Sequence, residues 1–457
     1  MFVDPDGNAF WMMSVFNVDT SGSVVNGTTD SALVQAKYGS SSTWGKQTIL
    51  RLRTWGFNSV AEYSSGYVQP FSQYPPGPTS PSGQYMPTVL LMRPSWYGLT
   101  DNGNYAPGSF KSLEDCLDST YTGYSSDGPP DVYDPNFAAY TNGFLQSQTA
   151  PGAPWNQAVT SPWVIGVATD DADNLQGFGP GTDVPSADGV VHVNIGWLAV
   201  AVSPTKTSSA KYGVTYSDPT VYTKKALHDF LVQKYNNSIA ALNTAWGSNY
   251  TTFDSAGGWG TGTGLMDEDG RHTAWLGTTD GTLKNASPGV VTDLNAFLGQ
   301  YAQQYFSITA GAVRKYMPHS LVFGPASLNG HGGVTRAPVL QAAGQYLDVL
   351  SGAAQNQQVL DFTEQNFGDK PMVTWEGSYA NPDSDLSAYP NSGIFGYTTQ
   401  AARGQAYAAR ANFLFNTPTT SGSYTVIGLN WWAWEDSWGE KTNWGLVTFL
   451  DNAYDGK

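Results

Sequence analysis

The 457-residue sequence has few of the residues that build several common catalytic and metal sites. Cys116 is its one cysteine, so neither an intrachain disulfide nor a cysteine-based metal cluster can form. Its five histidines are scattered, which argues against a histidine metal site. The sequence has neither a G-x-S-x-G nucleophile elbow nor an H-E-x-x-H helix. The segment 39–46 lacks the spacing of a phosphate-binding loop. We therefore expect no cofactor.

Positive charge is also scarce. The chain has 21 Lys and Arg against 37 Asp and Glu, a formal net charge of −16. Phosphate binding needs clustered basic side chains, so nucleic acid is not expected as a partner. No apolar run reaches the roughly 18 residues of a membrane span, and no basic amphipathic segment is present, so a membrane partner is not expected either. The sequence does not indicate an oligomeric state.

The first residues, 1–7, lack the charged and apolar regions of a signal peptide. The richness in Gly, Ser, Thr and Asn, together with few Lys, is nevertheless typical of exported proteins. We therefore expect a secreted or periplasmic protein.

Aromatic residues, in contrast, make up 14% of the chain and include 16 Trp. This is more Trp than a core needs, and the faces of Trp and Tyr rings are suitable platforms for the C–H surfaces of sugars. A large aromatic core with ordinary surface tyrosines would account for more than half of them. The excess is typical of a carbohydrate-binding surface.

Short apolar runs alternate with stretches of helical periodicity, which is the βα pattern of a parallel sheet. Eight strands are predicted, the number that closes a (β/α)8 barrel. We expect one barrel domain over residues 1–457. The predicted strands are Phe10–Asn17, Asn58–Tyr63, Thr88–Pro94, Trp163–Thr169, Ser320–Ala326, Tyr346–Ser351, Pro371–Glu376 and Tyr424–Trp432.

Helical periodicity is clearest over 291–308 and 227–246, where apolar residues recur every three or four positions. The residues after the last predicted strand look loop-like, so an eighth helix is either missing or lies beyond the chain. Long polar loops that follow strands lie on the catalytic face of such a barrel. Four are predicted, at 64–87, 98–130, 170–218 and 247–288.

Carboxylates are the remaining candidates for chemistry, and glycosidic cleavage needs two of them on either side of the bond. The chain has only seven Glu, and three of these lie at or just beyond the end of a predicted strand: Glu62, Glu376 and Glu435. Glu376 ends an apolar strand and precedes Gly377. Because barrel enzymes place catalytic residues at strand ends, Glu376 is the first candidate for a catalytic carboxylate.

Four segments resemble one known group of enzymes. Residues 2–8 with the apolar strand that follows resemble its first strand, and 55–60 its second. The segment 131–137 is similar to the entry to its third helix, and 235–253 to a helix and loop between its fourth and fifth strands. Together they resemble the clan A glycoside hydrolases, particularly the β-galactosidase and β-agarase branches.

This resemblance implies roles for residues of the last two strands. In the family a Glu at the end of strand seven is the nucleophile, a position that falls on Glu376. A Trp near the end of strand eight often forms the floor of a sugar subsite, which corresponds to Trp432 or its neighbours Trp431 and Trp434.

Strand four departs from the family pattern. The family ends this strand with Asn-Glu, the Glu being the acid/base, whereas this chain has Asp170-Asp171-Ala172-Asp173. Aligning Asp170-Asp171 with the Asn-Glu of the family makes Asp171 the acid/base, with Asp173 as the alternative. Both aspartates also suit turn caps or, with Asp267 and Asp269, a Ca²⁺ site, although solvated acidic loops are commoner.

The shorter Asp side chain bears on the stereochemistry. A carboxylate gap of about 5.5 Å is typical of retaining enzymes and about 6.5–9.5 Å of inverting ones, and a side chain one methylene shorter widens the gap unless the backbone offsets it. The resemblance to the clan implies retention, and the strand-four aspartates leave inversion open.

Several other polar or aromatic residues at strand ends are candidates for binding sugar hydroxyls. Glu62 is either a third carboxylate, a hydroxyl acceptor or an ion-pair partner of Arg93. Glu435 and Asp436 are placed for substrate binding rather than catalysis. The further binding candidates are Asn17, Arg93, Trp96, Asp170, Asn329 and His331.

The sequence thus predicts a (β/α)8-barrel glycoside hydrolase acting on a β-linked oligosaccharide or polysaccharide. The rival hypothesis is a carbohydrate-binding barrel protein that has lost the acid/base, which the missing strand-four Glu favours. The sugar, the linkage and the choice between internal and terminal attack are not fixed by the sequence.

Overall fold

Eight parallel strands form the centre of the protein in this computed structural model. It describes residues 1–454 except 4–6, 21–23, 26, 70–85, 101–103, 106–107, 109, 112, 114–129, 172–180, 183–207, 210–212, 269–286, 327–333, 353, 355, 385, 387–395 and 440. The strands are β1 Met12–Phe16, β2 Ser59–Val60, β3 Thr88–Leu91, β4 Val164–Asp171, β5 Leu321–Ala326, β6 Leu350–Gly352, β7 Met372–Ser378 and β8 Val426–Trp432.

The strand order closes the sheet into a barrel. Each strand pairs in parallel with its neighbour, in the order β5-β4-β3-β2-β1-β8-β7-β6. At the remaining seam the backbone N–H groups of Asp348 and Val349 donate to the carbonyl of Val322, at 3.0 and 3.2 Å. All eight predicted strands are present, and the predicted (β/α)8 fold is confirmed.

Helices follow most of the strands. The described helices are α1 Asp30–Tyr38, α2 Ser41–Thr54, α3 Pro94–Thr100, α4 Pro135–Thr149, α5 Tyr222–Lys234, α6 Ile239–Trp246, α7 Pro288–Tyr316, α8 Ala337–Tyr346, α9 Gln357–Phe367 and α10 Gln400–Asn416. Among these, no helix is both long enough and apolar enough to cross a membrane.

The amino-terminal end of the barrel is filled by apolar side chains. Its buried cluster joins residues of six strands to Phe2, which lies in a hairpin formed by residues 2–3 and 9–10. The Phe2 ring stacks on Phe323 of β5, with ring centroids 6.1 Å apart. The hairpin therefore closes this end of the barrel with hydrophobic surface.

The apolar period over 227–246 predicts one helix, but the structure has two. Asn236 and Asn237 have positive φ angles of 50° and 58°, which end α5 before α6 begins. Asn is one of the few residues that adopts this conformation at low cost. The apolar residues keep the same spacing on both sides of the break, so the pattern alone does not reveal it.

After β8 the described part of segment 433–454 contains no helix, in line with its loop-like sequence. It packs instead on α1, α2 and α10. Lys37 of α1 donates to the carbonyls of Leu450 and Asp451, at 3.2 and 2.6 Å. Arg403 of α10 donates to the carbonyls of Trp444 and Gly445, at 2.9 and 2.8 Å.

Helix α7 packs beside the barrel and contacts β4 near the carboxyl end of that strand. It has 29 residues, or about 43 Å at 1.5 Å per residue. The hydroxyl of Tyr305, beyond its midpoint, reaches the end of β4, so the residues before Tyr305 rise past the strand ends. Asp293 anchors this part by accepting bonds from Lys234, Tyr235 (2.6 Å) and Trp246 (2.8 Å). The α5–α6 pair is thereby fixed to α7 on the side where barrel enzymes bind substrate.

Candidate active site

The ends of β2 and β4 meet at the mouth of the barrel. Alternate strands of a (β/α)8 barrel contribute side chains to the same interior layer, so β2 and β4 place residues at one level. The hydroxyl of Tyr63 donates to Oδ2 of Asp171, at 2.5 Å. Tyr63 has a φ of 61°, and this turn follows Glu62 directly. One strand end thus brings both a carboxyl and a phenol beside Asp171.

Glu62 is buried, with 1% of its surface exposed. Burial raises the pKa of its carboxyl to about 8, and the negative charge of Asp171 adds to the increase. Its Oε2 has no hydrogen-bond partner among the described residues. The carboxyl of Glu62 is therefore neutral at pH 7 and retains an unused oxygen.

The two aspartates of β4 face opposite sides of the barrel wall, as consecutive strand residues do. Asp170 is fully buried and accepts bonds from the Ser95 backbone N–H (3.1 Å), the Ser95 hydroxyl (2.7 Å) and the Tyr305 hydroxyl (2.7 Å). Ser95 lies on α3 and Tyr305 on α7, so Asp170 points outward to the ring of helices. Asp171 points inward to Tyr63.

Burial raises the pKa of Asp170 to about 7, against hydrogen bonds from Ser95 and Tyr305 and the positive charge of Arg93, which lower it. With three donors already on its two oxygens, Asp170 joins β4 to two helices. Its position does not favour the sugar-binding role that the sequence suggested.

Two of the three Trp residues at and after the end of β8, Trp431 and Trp434, lie in the core, and Trp432 lies at the barrel mouth. Trp431 is buried and stacks on Tyr379, with centroids 4.9 Å apart. Trp434 is fully buried and packs on Trp55 at 5.8 Å and on the guanidinium of Arg51 at 4.8 Å. The ring of Trp434 therefore has no face open to a sugar, a correction to its expected binding role.

Trp432, in contrast, is half-buried. Its ring lies 4.5 Å from that of Phe16 at the end of β1, and Phe16 lies 5.2 Å from Tyr63. These rings connect the end of β8 to the tyrosine that holds Asp171. Of the three tryptophans, only Trp432 keeps an appreciable part of its surface exposed.

Arg93 follows β3 and contacts the same tyrosine. Its guanidinium lies 5.1 Å from the centre of the Tyr63 ring and 4.9 Å from that of Trp96. Trp96 lies in the first turn of α3 rather than at a strand end, and its ring is half-buried. The charge that acts on the pKa of Glu62 is that of Asp171, and the ion pair between Glu62 and Arg93 stays a prediction.

The main chain of Glu376 lies near the end of β7, which runs two residues further than expected, to Ser378. Between Thr374 and Gly377 the register with β8 shifts, because these residues pair with Leu429 and Trp431. Two residues of β7 thus oppose one of β8 at Glu376. Such bulges redirect side chains and are common beside active sites.

Some predicted site residues lie outside the described residues. These are the side chain of Glu376 and the residues Asp173, Asn329 and His331, together with Asp269 of the alternative Ca²⁺ site. Asp267 is described and accepts bonds from the backbone N–H groups of Ala256 (2.6 Å) and Gly264 (3.0 Å). It therefore caps a turn and is buried, which differs from the solvated acidic loop that the sequence favoured.

Glu435 follows β8 and has a different set of neighbours. Burial raises its pKa to about 9, and the negative charges of Asp30, Asp451, Asp436 and Asp19 raise it further. Asp30 belongs to α1 and Asp451 to the C-terminal segment, so Glu435 faces these elements. Asp436 is buried and accepts bonds from Ser384, Gly445 and Tyr454.

Sequence patterns did not single out Tyr63, Phe16 or Tyr305, although each contacts a residue of the site. The available signal was position: Tyr63 ends a predicted strand beside the candidate Glu62, and Phe16 precedes the candidate Asn17, which ends another. No pattern predicts that the hydroxyl of Tyr305 reaches β4, since it depends on how α7 packs.

No family model matches the chain. β-Agarase A of Vibrio sp. (strain JT0107) is 24% identical over 237 residues, which are 49% of this chain and 20% of that protein. Among solved structures, PfGH50B has a TM-score of 0.67 at 19% identity, over 99% of this chain and 62% of that one.

The agarase AgWH50C has a TM-score of 0.65 at 17% identity, over 99% of this chain and 61% of its own. An exo-β-agarase has a TM-score of 0.59 at 21% identity, over 93% of this chain and 47% of its own. The chain thus spans less than two thirds of the length of each of these proteins. The likeness confirms the barrel fold and the resemblance to the agarase branch.

Proposed function

We propose that this chain is a glycoside hydrolase that cleaves β-glycosidic bonds of a polysaccharide or oligosaccharide. The observation that carries the proposal is Asp171, which faces the barrel mouth beside Glu62 while its neighbour Asp170 faces away. Paired carboxyls at this end of such a barrel are the groups that glycosidic cleavage requires. The likeness to agarases favours agarose and related β-linked galactans as the first substrates to test.

In the proposed reaction Glu376 is the nucleophile and Asp171 the acid/base. Asp171 gives a proton to the leaving oxygen as a carboxylate oxygen of Glu376 attacks the anomeric carbon. Asp171 then takes a proton from water, whose oxygen displaces Glu376. This retaining sequence needs no cofactor. The bulge at Glu376 and the inward direction of Asp171 support the assignment.

Residues around these carboxyls are proposed to bind the sugar. The half-buried ring of Trp432 is proposed as the floor of a subsite, since aromatic faces suit the apolar faces of sugars. Arg93 and Trp96 are proposed to contact hydroxyls at the rim, and Glu62, which is buried beside Asp171, stays a binding candidate from the sequence. Asp173, Asn329, His331 and Glu435 stay candidates from the sequence. We also propose that the chain is one domain. We further propose that it works outside the cell, where such polysaccharides occur.

The rival function is carbohydrate binding without hydrolysis. It is favoured by one specific feature, the absence of Glu from strand four. The two functions differ in a single assay: the protein is incubated with agarose, agaro-oligosaccharides and other β-linked galactans, and new reducing ends are measured. Release of reducing ends that is absent in Glu376→Gln supports hydrolysis. Binding of the same oligosaccharides with no release supports the rival.

The stereochemical outcome is measured by NMR of the first reducing sugar formed. Product with the configuration of the cleaved bond supports retention and the nucleophilic role of Glu376. Product of opposite configuration recasts Glu376 as the base that activates water.

A further inference from the structure

Glu62 is a buried carboxyl whose position calls for a chemical explanation. It is 1% exposed, and its Oε2 has no hydrogen-bond partner among the described residues. Its backbone carbonyl accepts from the N–H of Asn17, at 3.0 Å, which fixes the end of β2 against that of β1. Burying an unpaired carboxylate is costly, so a buried carboxyl with an unused oxygen is kept protonated or is completed by a ligand.

The neighbour that acts on Glu62 is Asp171, from the alternate strand of the same layer. Tyr63, the next residue after Glu62, donates to Oδ2 of Asp171 at 2.5 Å. A hydrogen bond to a carboxylate favours its charged form. The phenol of Tyr63 therefore acts on the ionised form of Asp171 and ties that carboxyl to the strand end that carries Glu62.

The other charged and titratable groups on the elements around the pair are Arg93, Asp170, Tyr305 and Glu376. Arg93, which follows β3, lies over the ring of Tyr63, and its charge lowers the pKa of Asp170. Asp170, on β4, faces outward to Ser95 and Tyr305. β1 contributes a backbone N–H, and β7 carries Glu376.

We propose that Glu62 and Asp171 share one proton and act together as the general acid and base. This inference rests on the proposed function. Two adjacent carboxyls cannot both ionise cheaply, so the pair keeps one proton over a range in which a lone aspartate has lost it. Glu62, on strand two, thereby supplies the carboxyl that strand four lacks.

In each catalytic cycle the carboxyl pair gives one proton to the leaving group and regains one from water. The pair gives its proton to the leaving glycosidic oxygen as that C–O bond breaks and the bond from Glu376 to the anomeric carbon forms. The pair is then doubly negative, which makes it a strong base. It takes a proton from water as the water oxygen forms its bond to the anomeric carbon and the bond to Glu376 breaks. One proton is again shared and the cycle is complete.

The first test is the pH dependence of kcat/KM for Glu62→Gln, which keeps the shape of the side chain but removes its titration. Burial raises the pKa of Glu62 to about 8, so the alkaline limb of the native enzyme should lie near pH 8. In Glu62→Gln it should move down by about 1 pH unit or more. At pH 7, kcat/KM for unactivated oligosaccharides should fall about tenfold or more, while activated aryl glycosides, which need no protonation, lose little.

The matched controls separate titration from shape. Glu62→Asp retains a carboxyl and should keep the alkaline limb within about half a pH unit of the native one. Glu364→Gln makes the same chemical change on α9, where Glu364 bonds Ser421, and should leave the profile unchanged. An alkaline limb that stays in place in a folded Glu62→Gln overturns the proposal.

The second test needs no activity and does not depend on the folding of Glu62→Gln. The carboxyl carbons of the seven Glu are labelled with ¹³C, and the Glu62 signal is assigned by its loss in Glu62→Asp. Its midpoint should lie near pH 8 and should fall in Asp171→Asn, because a negative neighbour is removed. A titration midpoint near about 4.3, the usual pKa of a Glu side chain, overturns the proposal. A midpoint that does not change in Asp171→Asn overturns it as well.

The two tests also distinguish the shared proton from the proposed function. If the carboxyls titrate together but no β-linked polysaccharide is cleaved, the hydrolase function fails and the general-acid role fails with it, while the coupling stands. If polysaccharide is cleaved and the carboxyls titrate independently, hydrolysis stands and the shared proton is wrong.

Discussion

The two ends of the barrel interior differ in what fills them. At the amino-terminal end, buried apolar side chains from six strands pack against Phe2 of the N-terminal hairpin. At the carboxyl end, Glu62, Asp171 and Tyr63 occupy the same interior, with Trp432 at its edge. One end gains free energy by removing apolar surface from water, whereas the other keeps buried carboxyls that cost free energy. A catalytic role for the buried carboxyls at the barrel mouth explains why this cost in free energy is tolerated.

The largest expected effect is at the mouth. Glu376→Gln should reduce hydrolysis by about 10⁴-fold or more, since the amide cannot form the glycosyl intermediate. Folding and sugar binding should be retained. Rates on an unactivated oligosaccharide, with circular dichroism as the control for folding, check this. A folded variant that keeps more than about a tenth of the native rate would remove Glu376 from the nucleophile position.

Asp171→Asn should have the next largest effect, about 10²- to 10⁴-fold on substrates with poor leaving groups. Activated aryl glycosides should be affected less, because their leaving groups depart without a proton. The ratio of the two rates is the measurement. Asp173→Asn is the matched variant, and if it alone shows the selective loss, Asp173 is the acid/base.

At the opposite end, Phe323→Ala should act on stability and not on chemistry. Phe323 is 1% exposed and stacks on Phe2, so truncation should cost about 3–5 kcal/mol of unfolding free energy. Urea unfolding measures this loss, and kcat/KM well below the transition should stay close to native. A large fall in kcat/KM with unchanged stability would contradict the division between the two ends.

This division also shows what the sequence can predict. Apolar runs and strand-end polar residues are local features, and they are sufficient for the eight strands and for Glu62 as a candidate. Asp171 becomes a candidate for the acid/base only through the resemblance of strand four to the family pattern. Which of two consecutive aspartates faces inward depends on the hydrogen bonds that Ser95 and Tyr305 give to Asp170. These partners come from two distant helices, so no local pattern identifies them.

Two further differences have the same origin. The break between α5 and α6 depends on the backbone conformation of Asn236 and Asn237, which leaves the apolar period intact. Trp432 and Trp434 belong to one aromatic run, and only packing against Arg51 and Trp55 assigns Trp434 to the core.

The smallest expected effect compares these two tryptophans. Trp432→Ala should weaken oligosaccharide binding by about 1–3 kcal/mol, the range for a well-used aromatic contact, with little change in melting temperature because the ring is only half-buried. Trp434→Ala should do the reverse, since a fully buried Trp costs about 3–5 kcal/mol of stability when truncated. Calorimetric titration and thermal melts of both variants measure the two quantities side by side. If Trp432→Ala lowers the melting temperature as much as Trp434→Ala and leaves affinity unchanged, its ring serves the aromatic packing with Phe16 and Tyr63, and the sugar floor lies elsewhere at the mouth.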